Sequence, residues 1–425
     1  SIQELPGSAP DRTILDVDVT EQSTGSFQIG GGVSSDSGFL VNVSLEERNL
    51  LGRGQYVLVD LSTATRSQRA QVTFREPRSL NRNLATGISL YTSRTDYEEE
   101  AGYLTDSVGS TVDIGFPVSE FSTLRLFYGL SSSELIYDRL TSATIGADES
   151  AANVLLPGVE DDEYEVIATQ SDGTSTIQTD VCNLRSYTGD PYCDSRGRYV
   201  TSQVGYTLQL DRRNNPLSAT SGFNLALSQS FAGLGGDVRY LKTTGSAAYY
   251  QPLPFDLSAA LRANLGYIEG FGGDGVRIND RFFLGGNRGF RGFDIAGVGP
   301  RYFTSSGDQA LGAKAYGIGT VEIPIPLELP QYGIKAALFT DFGVLGGVDE
   351  EDKLVNAELD RWVDYNGDGL YDAPVQDRFG FRQTAGISIN WNSPFGPVQF
   401  DIAKTLKKED YDEDQFFRFS AGRQF

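Results

Sequence analysis

FRFSAGRQF, residues 417–425, alternates between two kinds of side chain from one residue to the next. One kind is mostly aromatic and consists of Phe417, Phe419, Ala421 and Phe425. The other is polar or small and consists of Arg418, Ser420, Gly422 and Gln424. Successive side chains of a β-strand point to opposite faces, so this pattern predicts a strand with one apolar and one polar face.

The same alternation recurs along the chain from about residue 25 onward. The clearest apolar sets are Phe39, Val41, Val43 and Leu45; Val112, Ile114, Phe116 and Val118; Val204, Tyr206, Leu208 and Leu210; Ala385, Ile387, Ile389 and Trp391; and Val398, Phe400 and Ile402. Polar residues and glycine occupy most of the positions between them. We predict about sixteen strands, near residues 25–35, 38–50, 54–64, 67–76, 83–96, 107–118, 123–137, 198–212, 222–232, 237–252, 255–269, 312–325, 333–345, 379–392, 397–407 and 415–425.

The lengths of the connectors decide which kind of β protein this is, because soluble sandwiches also alternate. Short turns at 52–54, 119–122, 252–254 and 393–397 take turns with long polar or acidic loops at roughly 140–198, 271–311 and 347–378. Short turns at one end and long loops at the other are typical of outer-membrane barrels. The predicted fold class is therefore all-β, a closed transmembrane antiparallel β-barrel of about sixteen strands.

The composition excludes several classes of function. The net charge of −22 argues against nucleic acid as a partner, because phosphates need basic residues to neutralise them. Histidine is absent, which removes His-based nucleophilic catalysis and His-ligated zinc. We expect neither an enzyme nor a cofactor. The acidic residues cluster in connectors, where they form solvated loops or bind divalent cations at a lipopolysaccharide surface.

The two cysteines, Cys182 and Cys193, lie eleven residues apart in CNLRSYTGDPYC. The intervening Gly189-Asp190-Pro191 favours a turn that brings them together. We expect a disulfide, and hence an oxidising compartment such as a periplasm or cell surface; the alternative is two free thiols. The spacing excludes a CxxC redox or zinc motif.

A weak calcium candidate lies in the loop at 347–378. Its four residues have part of the spacing of an EF-hand loop: Asp364, Asn366, Asp368 and Asp372. The twelfth position is Val375 where an EF-hand has glutamate, and no flanking helix is predicted. A solvated aspartate-rich loop is the simpler interpretation, so no metal is assigned.

The run RFFLGGNRGFRGFDIAGVGPR, residues 281–301, resembles the sixth loop of the BamA family of outer-membrane assembly factors. That family carries an Arg-Gly-Phe or Arg-Gly-Tyr core, here Arg291-Gly292-Phe293, followed by Gly-Pro, here Gly299-Pro300. Further segments resemble the family in the same order, at 24–39, 49–54, 115–125, 338–343 and 387–408. The resemblance implies that residues 25–425 form the transmembrane barrel. It also implies that residues 1–24 end the last periplasmic POTRA domain, with other POTRA domains upstream.

The resemblance also implies that residues 281–301 form a lumenal loop of the barrel, and how that loop is anchored. Arg291 is expected to reach Asp341, an inward-facing acid on the thirteenth strand. Glu322 is expected to be a second inward acid on the twelfth strand, and its parity fits because Val321 and Ile323 take the other face. A guanidinium binds carboxylates through two parallel hydrogen bonds, which suits this role. The pair either only pins the loop or also takes part in the insertion of client proteins.

The first and last strands are expected to form the weakest joint of the barrel. The first contains Gly30-Gly31-Gly32, and the last contains Gly422 and ends at Phe425. Glycine weakens strand pairing because it has no side chain to pack. The resemblance implies a lateral gate here, where client strands pair with the first strand. The alternative is that the small residues only make room for the lumenal loop.

The function that the resemblance implies is the central barrel of the machinery that folds and inserts outer-membrane β-barrels in a Gram-negative bacterium. Its expected partners are unfolded outer-membrane protein clients, accessory lipoproteins bound through the POTRA domains, and outer-membrane lipid and lipopolysaccharide. Two alternatives stay open. One is a related two-partner secretion or autotransporter-assembly pore, and the other is a passive diffusion porin.

Overall fold

The structure is a computed structural model, and the description below covers most of the chain. The described residues are 2–6, 13–17, 23–137, 140–145, 154–155, 164–170, 174–183, 190–254, 257–273, 275–286, 289–304, 307–326, 333–350, 352, 374–393 and 396–424. Within these ranges, no helix has the length and apolar character needed to cross a bilayer.

Sixteen antiparallel strands close into one barrel. They are β1 (Gly25–Ser34), β2 (Gly38–Leu50), β3 (Gln55–Ala64), β4 (Ser67–Glu76), β5 (Ala85–Tyr97), β6 (Tyr103–Pro117), β7 (Ser122–Ile136), β8 (Gly197–Asp211), β9 (Gly222–Gly236), β10 (Tyr240–Pro252), β11 (Ser258–Gly270), β12 (Ala315–Ile325), β13 (Ile334–Gly346), β14 (Phe381–Ser393), β15 (Gly396–Lys407) and β16 (Phe417–Gln424). Each strand pairs with its neighbours in the chain, and β16 pairs with β1. The predicted fold class is confirmed; among the larger differences, β6 begins at Tyr103 where residue 107 was predicted.

The side chains at the apolar positions of the strands face outward. Large apolar side chains that remain exposed on this face include Phe27, Val33, Phe39, Leu45, Val112, Ile114, Val204, Leu208, Ile387, Ile402 and Phe417. An exposed apolar band of this extent is unfavourable in water, and it matches the hydrocarbon layer of a bilayer.

The two ends of the barrel differ in their connectors. The long connectors 137–196, 271–314 and 347–380 all follow odd-numbered strands, so they leave the barrel at the same end. The connectors after even-numbered strands are short turns at the opposite end, such as 51–54 and 118–121. In outer-membrane barrels the short-turn end faces the periplasm. The β1–β2 turn, residues 35–37, follows an odd strand and therefore lies at the long-loop end.

Two small sheets in the long connectors were not predicted. Residues 137–196 contain a three-stranded sheet of Leu140–Ile145, Ser175–Asp180 and Tyr164–Thr169. A second sheet joins two connectors through Gly307–Ala310, Arg301–Thr304 and Val375–Gln376. The sequence predicted only polar loops in these places, because strands of two to six residues carry too little alternation to be recognised.

Short helices and one hairpin complete the described elements. The α-helical turns are Glu98–Ala101 and Pro191–Ser195, and the 3-10 turns are Ser79–Asn81, Val181–Asn183 and Ile278–Asp280. Ile2–Pro6 pairs with Thr13–Val17 as an antiparallel hairpin. The assignment of residues 1–24 to a POTRA domain stays a prediction.

The predicted disulfide between Cys182 and Cys193 is present. Asp190 caps the short helix that carries Cys193: its carboxylate accepts hydrogen bonds from the backbone N–H groups of Tyr192, at 2.9 Å, and Cys193, at 3.3 Å. Pro191 occupies the first turn, where its missing N–H costs nothing. The segment therefore begins a helix where the sequence predicted a turn.

A buried core occupies the mouth of the barrel at the long-loop end. Its residues come from strand ends and from four connectors: Ala101, Tyr103, Leu135, Tyr137, Tyr192, Ile278, Ala296, Tyr302, Ala310, Leu311, Val348 and Val375. Tyr192 is at its centre, since its ring contacts those of Tyr103 and Tyr137 and its hydroxyl donates to the Ala310 carbonyl at 2.6 Å. The described parts of the long connectors thus pack against one another at the mouth.

Candidate functional site

Arg291 anchors the lumenal loop to the barrel wall. Asp341 on β13 is fully buried and accepts hydrogen bonds from Arg291 Nε and Nη2, both at 2.9 Å. The same carboxylate accepts the Arg291 backbone N–H at 3.1 Å and the Thr320 hydroxyl at 2.8 Å. Such a two-pronged contact fixes both the position and the orientation of the guanidinium.

Two further groups complete the environment of Arg291. Its Nη1 lies 3.3 Å from Glu322 Oε2 on β12, and its guanidinium carbon lies 3.5 Å from the centre of the Phe339 ring. Burial opposes the positive charge, but the hydrogen bonds to Asp341 and the charges of both acids outweigh it and raise the pKa of Arg291. The guanidinium therefore stays charged in a largely enclosed place.

Gly292 allows the loop to lie directly against the wall. Its φ is +88°, and an added Cβ would lie 2.9 Å from Thr384 Cγ2 and 3.0 Å from Ala403 Cβ. The neighbouring carbonyls are satisfied from the wall, since the Thr384 hydroxyl donates to Arg291 O at 2.8 Å and the Thr405 hydroxyl to Gly292 O at 3.1 Å. Both the backbone conformation and the close approach require glycine here.

Phe293 buries the middle of the loop. It is fully buried and meets Phe290 edge to face, with ring centres 4.9 Å apart. The two rings pack in a cluster with Leu284, Val298, Ala313, Ile318 and Leu345. Since Ile318 and Leu345 belong to β12 and β13, apolar packing holds the loop against the strands that also carry its ionic anchor.

The connector before the last strand, residues 408–416, covers the lumenal loop. Its backbone pairs with the loop through Asp294 N to Glu413 O at 3.0 Å, Glu413 N to Gly297 O at 2.7 Å and Gln415 N to Gly292 O at 3.0 Å. Arg382 on β14 is fully buried and binds Asp412 of this connector, with Nε to Oδ2 at 2.8 Å. β16 is thereby tied to the loop as well as to β15.

The seam between β1 and β16 is short. Its ladder runs from Ser420 opposite Ser34 to Gln424 opposite Gly30, whereas β1 pairs with β2 along its whole length. Within the described residues, the ladder to β16 does not reach Gly25–Ile29. Among the described residues, β2 is the only ladder partner of this first half of β1, and a strand edge of this kind can accept another strand.

Gly32 allows β1 and β16 to approach each other closely in the seam. An added Cβ would lie 2.5 Å from Ala421 O and 2.9 Å from Gly422 Cα, so any side chain would push the strands apart. At Gly31 the nearest atom is Leu40 O at 3.7 Å. The contacts at both glycines come from β2 and β16 and not from the lumenal loop. This does not support the alternative that these glycines exist to make room for the loop.

A cavity of about 730 Å³ links the loop anchor to the seam. Arg291 and Glu322 line one side, and Ser34, Ser420 and Gly422 line the other. Of the predicted site residues, Arg291, Glu322 and Gly422 line this lumenal space. Phe425 and the calcium candidates Asp364, Asn366, Asp368 and Asp372 lie outside the described residues.

Sequence reasoning missed two residues beside this cavity, Asp36 and Arg418. Both are buried, and Arg418 Nε lies 3.1 Å from Asp36 Oδ1. Arg418 was placed on the polar face of the last strand, but it received no role. The sequence signal for a role of Arg418 was a charged residue at an inward-facing position of the last strand, next to the seam.

Comparisons with known proteins support the assignment of this chain as an outer-membrane barrel. The Omp85 superfamily domain matches residues 49–425. The outer membrane protein assembly factor BamA of Neorickettsia risticii is 29% identical over 409 residues, which cover 96% of this chain and 46% of that protein. The chain spans about half the length of the curated BamA proteins that it matches.

Solved structures agree with the fold. BamA from Haemophilus ducreyi lacking POTRA domains 1–3 has a TM-score of 0.72 at 21% identity, over 100% of this chain and 75% of that one. CdiB from Escherichia coli has a TM-score of 0.54 at 11% identity, over 100% of this chain and 67% of that one. At these identities the likeness concerns the fold alone.

The predicted localisation in the outer membrane of a Gram-negative bacterium is confirmed by the relatives together with the barrel fold. The family match runs from the end of β2 to the end of the sequence and includes the lumenal loop with its anchor. The chain therefore belongs to the Omp85 superfamily.

Proposed function

We propose that this barrel folds and inserts β-barrel proteins into the outer membrane through a lateral gate between β1 and β16. The observation that carries the proposal is the seam. Its ladder covers only Gly30–Ser34 of β1 within the described residues, and Gly32 leaves no side chain to strengthen it. The proposal agrees with the printed role of the BamA relatives as assembly factors.

The edge of β1 is the proposed binding site for clients. Gly25–Ile29 lie in the first half of β1, nearer the end that faces the periplasm, from which unfolded clients arrive. An extended client segment can add to this edge through backbone hydrogen bonds, which need no particular side chains. Continued pairing along β1 then releases β16 and allows the client strands to enter the bilayer in sequence.

The proposal involves no covalent chemistry and no cofactor. Unfolded outer-membrane proteins are the clients. Accessory lipoproteins are expected to bind POTRA domains of the full-length protein, and outer-membrane lipid and lipopolysaccharide to contact the apolar band. These partners are the ones that the family resemblance implies.

A reversible crosslink tests the gate. Val33 and Ala421 are opposite each other in the seam, so cysteines at both positions can form a disulfide between β1 and β16. A matched control places cysteines at Val72 and Leu90, which are opposite each other on β4 and β5 and likewise face outward. The readout is the fraction of an unfolded barrel client that becomes protease-resistant in liposomes containing the full-length protein.

We expect the seam crosslink to reduce client folding to the level of empty liposomes and a reductant to restore it. The control crosslink should leave folding unchanged with and without reductant, which also covers reduction of the native disulfide. Full client folding by a quantitatively crosslinked seam contradicts the gate.

A related two-partner secretion or autotransporter-assembly pore is the second candidate, because the barrel fold alone does not separate it from an assembly barrel. A pore of that kind must pass its client through the lumen, which Arg291 and the core at the mouth now occupy. The two functions differ in where the client ends: in the bilayer for assembly, and across it for secretion.

A further inference from the structure

Arg418 joins three separate segments at the long-loop end of the seam. It lies at the start of β16, and its Nε binds Asp36 Oδ1 of the β1–β2 turn at 3.1 Å. Its Nη1 donates to the Gly286 carbonyl, and its Nη2 donates to the Phe293 carbonyl at 2.9 Å, both in the lumenal loop. Nη2 also donates to Gln415 Oε1 at 2.8 Å.

This ion pair is buried, so the loss of either partner is costly. The side chains of Arg418 and Asp36 are only 9% and 6% exposed, so water cannot readily replace either partner. A planar guanidinium can donate in several directions at once, which a lysine ammonium at the same place cannot do with this geometry. Loss of either partner leaves a buried group with unmet hydrogen bonds, which is more costly than loss of a surface pair.

Hydrogen bonds of the backbone next to the ion pair also connect β1 and β16 at this end of the seam. Ser35 N donates to Phe419 O at 2.9 Å, and Phe419 N donates to the Ser35 hydroxyl at 3.3 Å. The seam therefore has unequal ends. The long-loop end has the ion pair and these additional bonds, whereas the short-turn end has three consecutive glycines and the open edge of Gly25–Ile29.

We infer that Arg418 and Asp36 form a clasp that holds the long-loop end of the seam closed and couples it to the seated lumenal loop, so that the seam parts from its short-turn end. The inference rests on the proposed gate and specifies the direction in which it opens. Because Nη1 and Nη2 of Arg418 donate to carbonyls of the lumenal loop, displacement of the loop removes most of the hydrogen bonds that position the guanidinium for Asp36.

Amide hydrogen exchange at single-residue resolution tests the clasp in the full-length protein in liposomes. Since Ser35 N donates to Phe419 O and N–H directions alternate along a strand, the amides of Gly31, Val33 and Ser35 point across the seam. In the wild type we expect the amide of Gly31 to exchange faster than those of Val33 and Ser35. Asp36→Ala removes only the ion pair between Arg418 and the β1–β2 turn. Arg418→Lys keeps the positive charge but loses the planar guanidinium that donates to several acceptors. Because hydrogen bonds to charged groups are stronger than neutral ones, both variants should speed exchange at Val33 and Ser35 at least about tenfold.

A distant ion pair supplies the control. Asp113 on β6 is 4% exposed and binds Arg125 at 2.7 Å, so Asp113→Ala removes an equally buried lumenal carboxylate away from the seam. It should leave exchange at Ser35 unchanged. Asp36→Asn, which keeps the size of the side chain, replaces Asp36→Ala if the latter does not yield a folded barrel.

Two results overturn the clasp: uniform exchange along the wild-type seam, or unchanged exchange at Ser35 in the Asp36 and Arg418 variants. Either result leaves the gate standing if the Val33–Ala421 crosslink still blocks client folding. Conversely, full folding by the crosslinked seam refutes the gate, while a graded exchange that the variants abolish still establishes the clasp as a structural device.

Discussion

At the scale of single residues, the lumenal loop is held by a few contacts of different kinds. Arg291 supplies an ion pair to Asp341, Gly292 supplies a backbone conformation, and Phe293 supplies buried apolar surface. The family motif is thus three adjacent residues with three separate physical tasks. Each task can be removed separately, which makes the loop suitable for mutational analysis.

Arg291→Glu should release the loop. The variant places a third negative charge beside Asp341 and Glu322, and breaking a buried pair costs about 3–5 kcal/mol. We expect external protease to cut within residues 281–301 at least about tenfold faster than in the wild type. Arg125→Glu, which disrupts the ion pair with Asp113 elsewhere in the lumen, should leave the loop resistant. A resistant loop in Arg291→Glu would refute the anchor.

Gly292→Ala should destabilise the barrel more than Gly289→Ala. Both positions have positive φ, +88° and +87°, so both variants lose about 1–2 kcal/mol from the backbone. Only at Gly292 does the new methyl group meet Thr384 and Ala403, which adds about 1–3 kcal/mol of overpacking. The measurement is the temperature at which the folded band is lost on a gel. Equal losses for the two variants would exclude the close approach as a cause.

At the scale of elements, the two edges that meet at the seam are unlike the rest of the barrel. β1 is fully paired with β2 but only partly paired with β16, and the connector before β16 is bound to the lumenal loop. The seam therefore depends on a few backbone bonds, close packing at Gly32 and the clasp. This arrangement favours a joint that parts without unfolding the neighbouring strands.

Gly32→Val should open the seam, whereas Gly31→Val should be tolerated. The reason is the 2.5 Å approach of Ala421 O to the Cβ position of Gly32, compared with 3.7 Å to the nearest atom at Gly31. The measurement is the yield of a disulfide between cysteines placed at Ser34 and Ser420. We expect the yield to fall only in Gly32→Val. A similar yield in both variants would show that side-chain volume does not control the seam.

Asp190→Ala should weaken the helix that presents Cys193 and Tyr192. Loss of an N-cap costs about 0.5–2 kcal/mol, and it also removes the acceptor of two backbone N–H groups. We expect faster reduction of the Cys182–Cys193 disulfide by an added thiol, detected by alkylation and mass measurement. Ser195→Ala at the other end of the helix serves as the control. An unchanged rate of reduction in Asp190→Ala would contradict the role of the cap.

At the scale of the whole molecule, the barrel is closed at its mouth by its own connectors. The buried core there combines residues from β6, β7 and four connectors, and the lumenal loop packs against β12 and β13. This arrangement differs from that of a diffusion porin, whose lumen is a water-filled channel.

Planar-bilayer recordings distinguish an obstructed barrel from a diffusion porin. We expect the purified full-length protein to show only small or brief conductance, because the mouth core and the loop anchored by Arg291 obstruct the lumen. Arg291→Glu should increase the open probability, since it frees the loop. A large, steady conductance of the wild-type protein would support the porin alternative.

Much of this arrangement was predictable from the sequence, for a physical reason. Alternation along a strand is local, so segments such as 417–425 reveal both their conformation and their lipid-facing side without knowledge of any partner. The order of connectors identified the ends of the barrel, and the Arg291-Gly292-Phe293 motif identified the lumenal loop. The alternation is weak in the short strands of the connectors, and these were missed.

The sequence by itself determined about sixteen strands and their outward face, because each depends on residues that are near one another in the chain. The lumenal loop was predicted from the resemblance of residues 281–301 to the BamA family. Only the tertiary structure decided that Arg418 meets Asp36, that the connector 408–416 covers the loop, and that the mouth has a core. These contacts join residues that are far apart in the chain, and they exist only once the barrel has closed and set the register of β16 against β1.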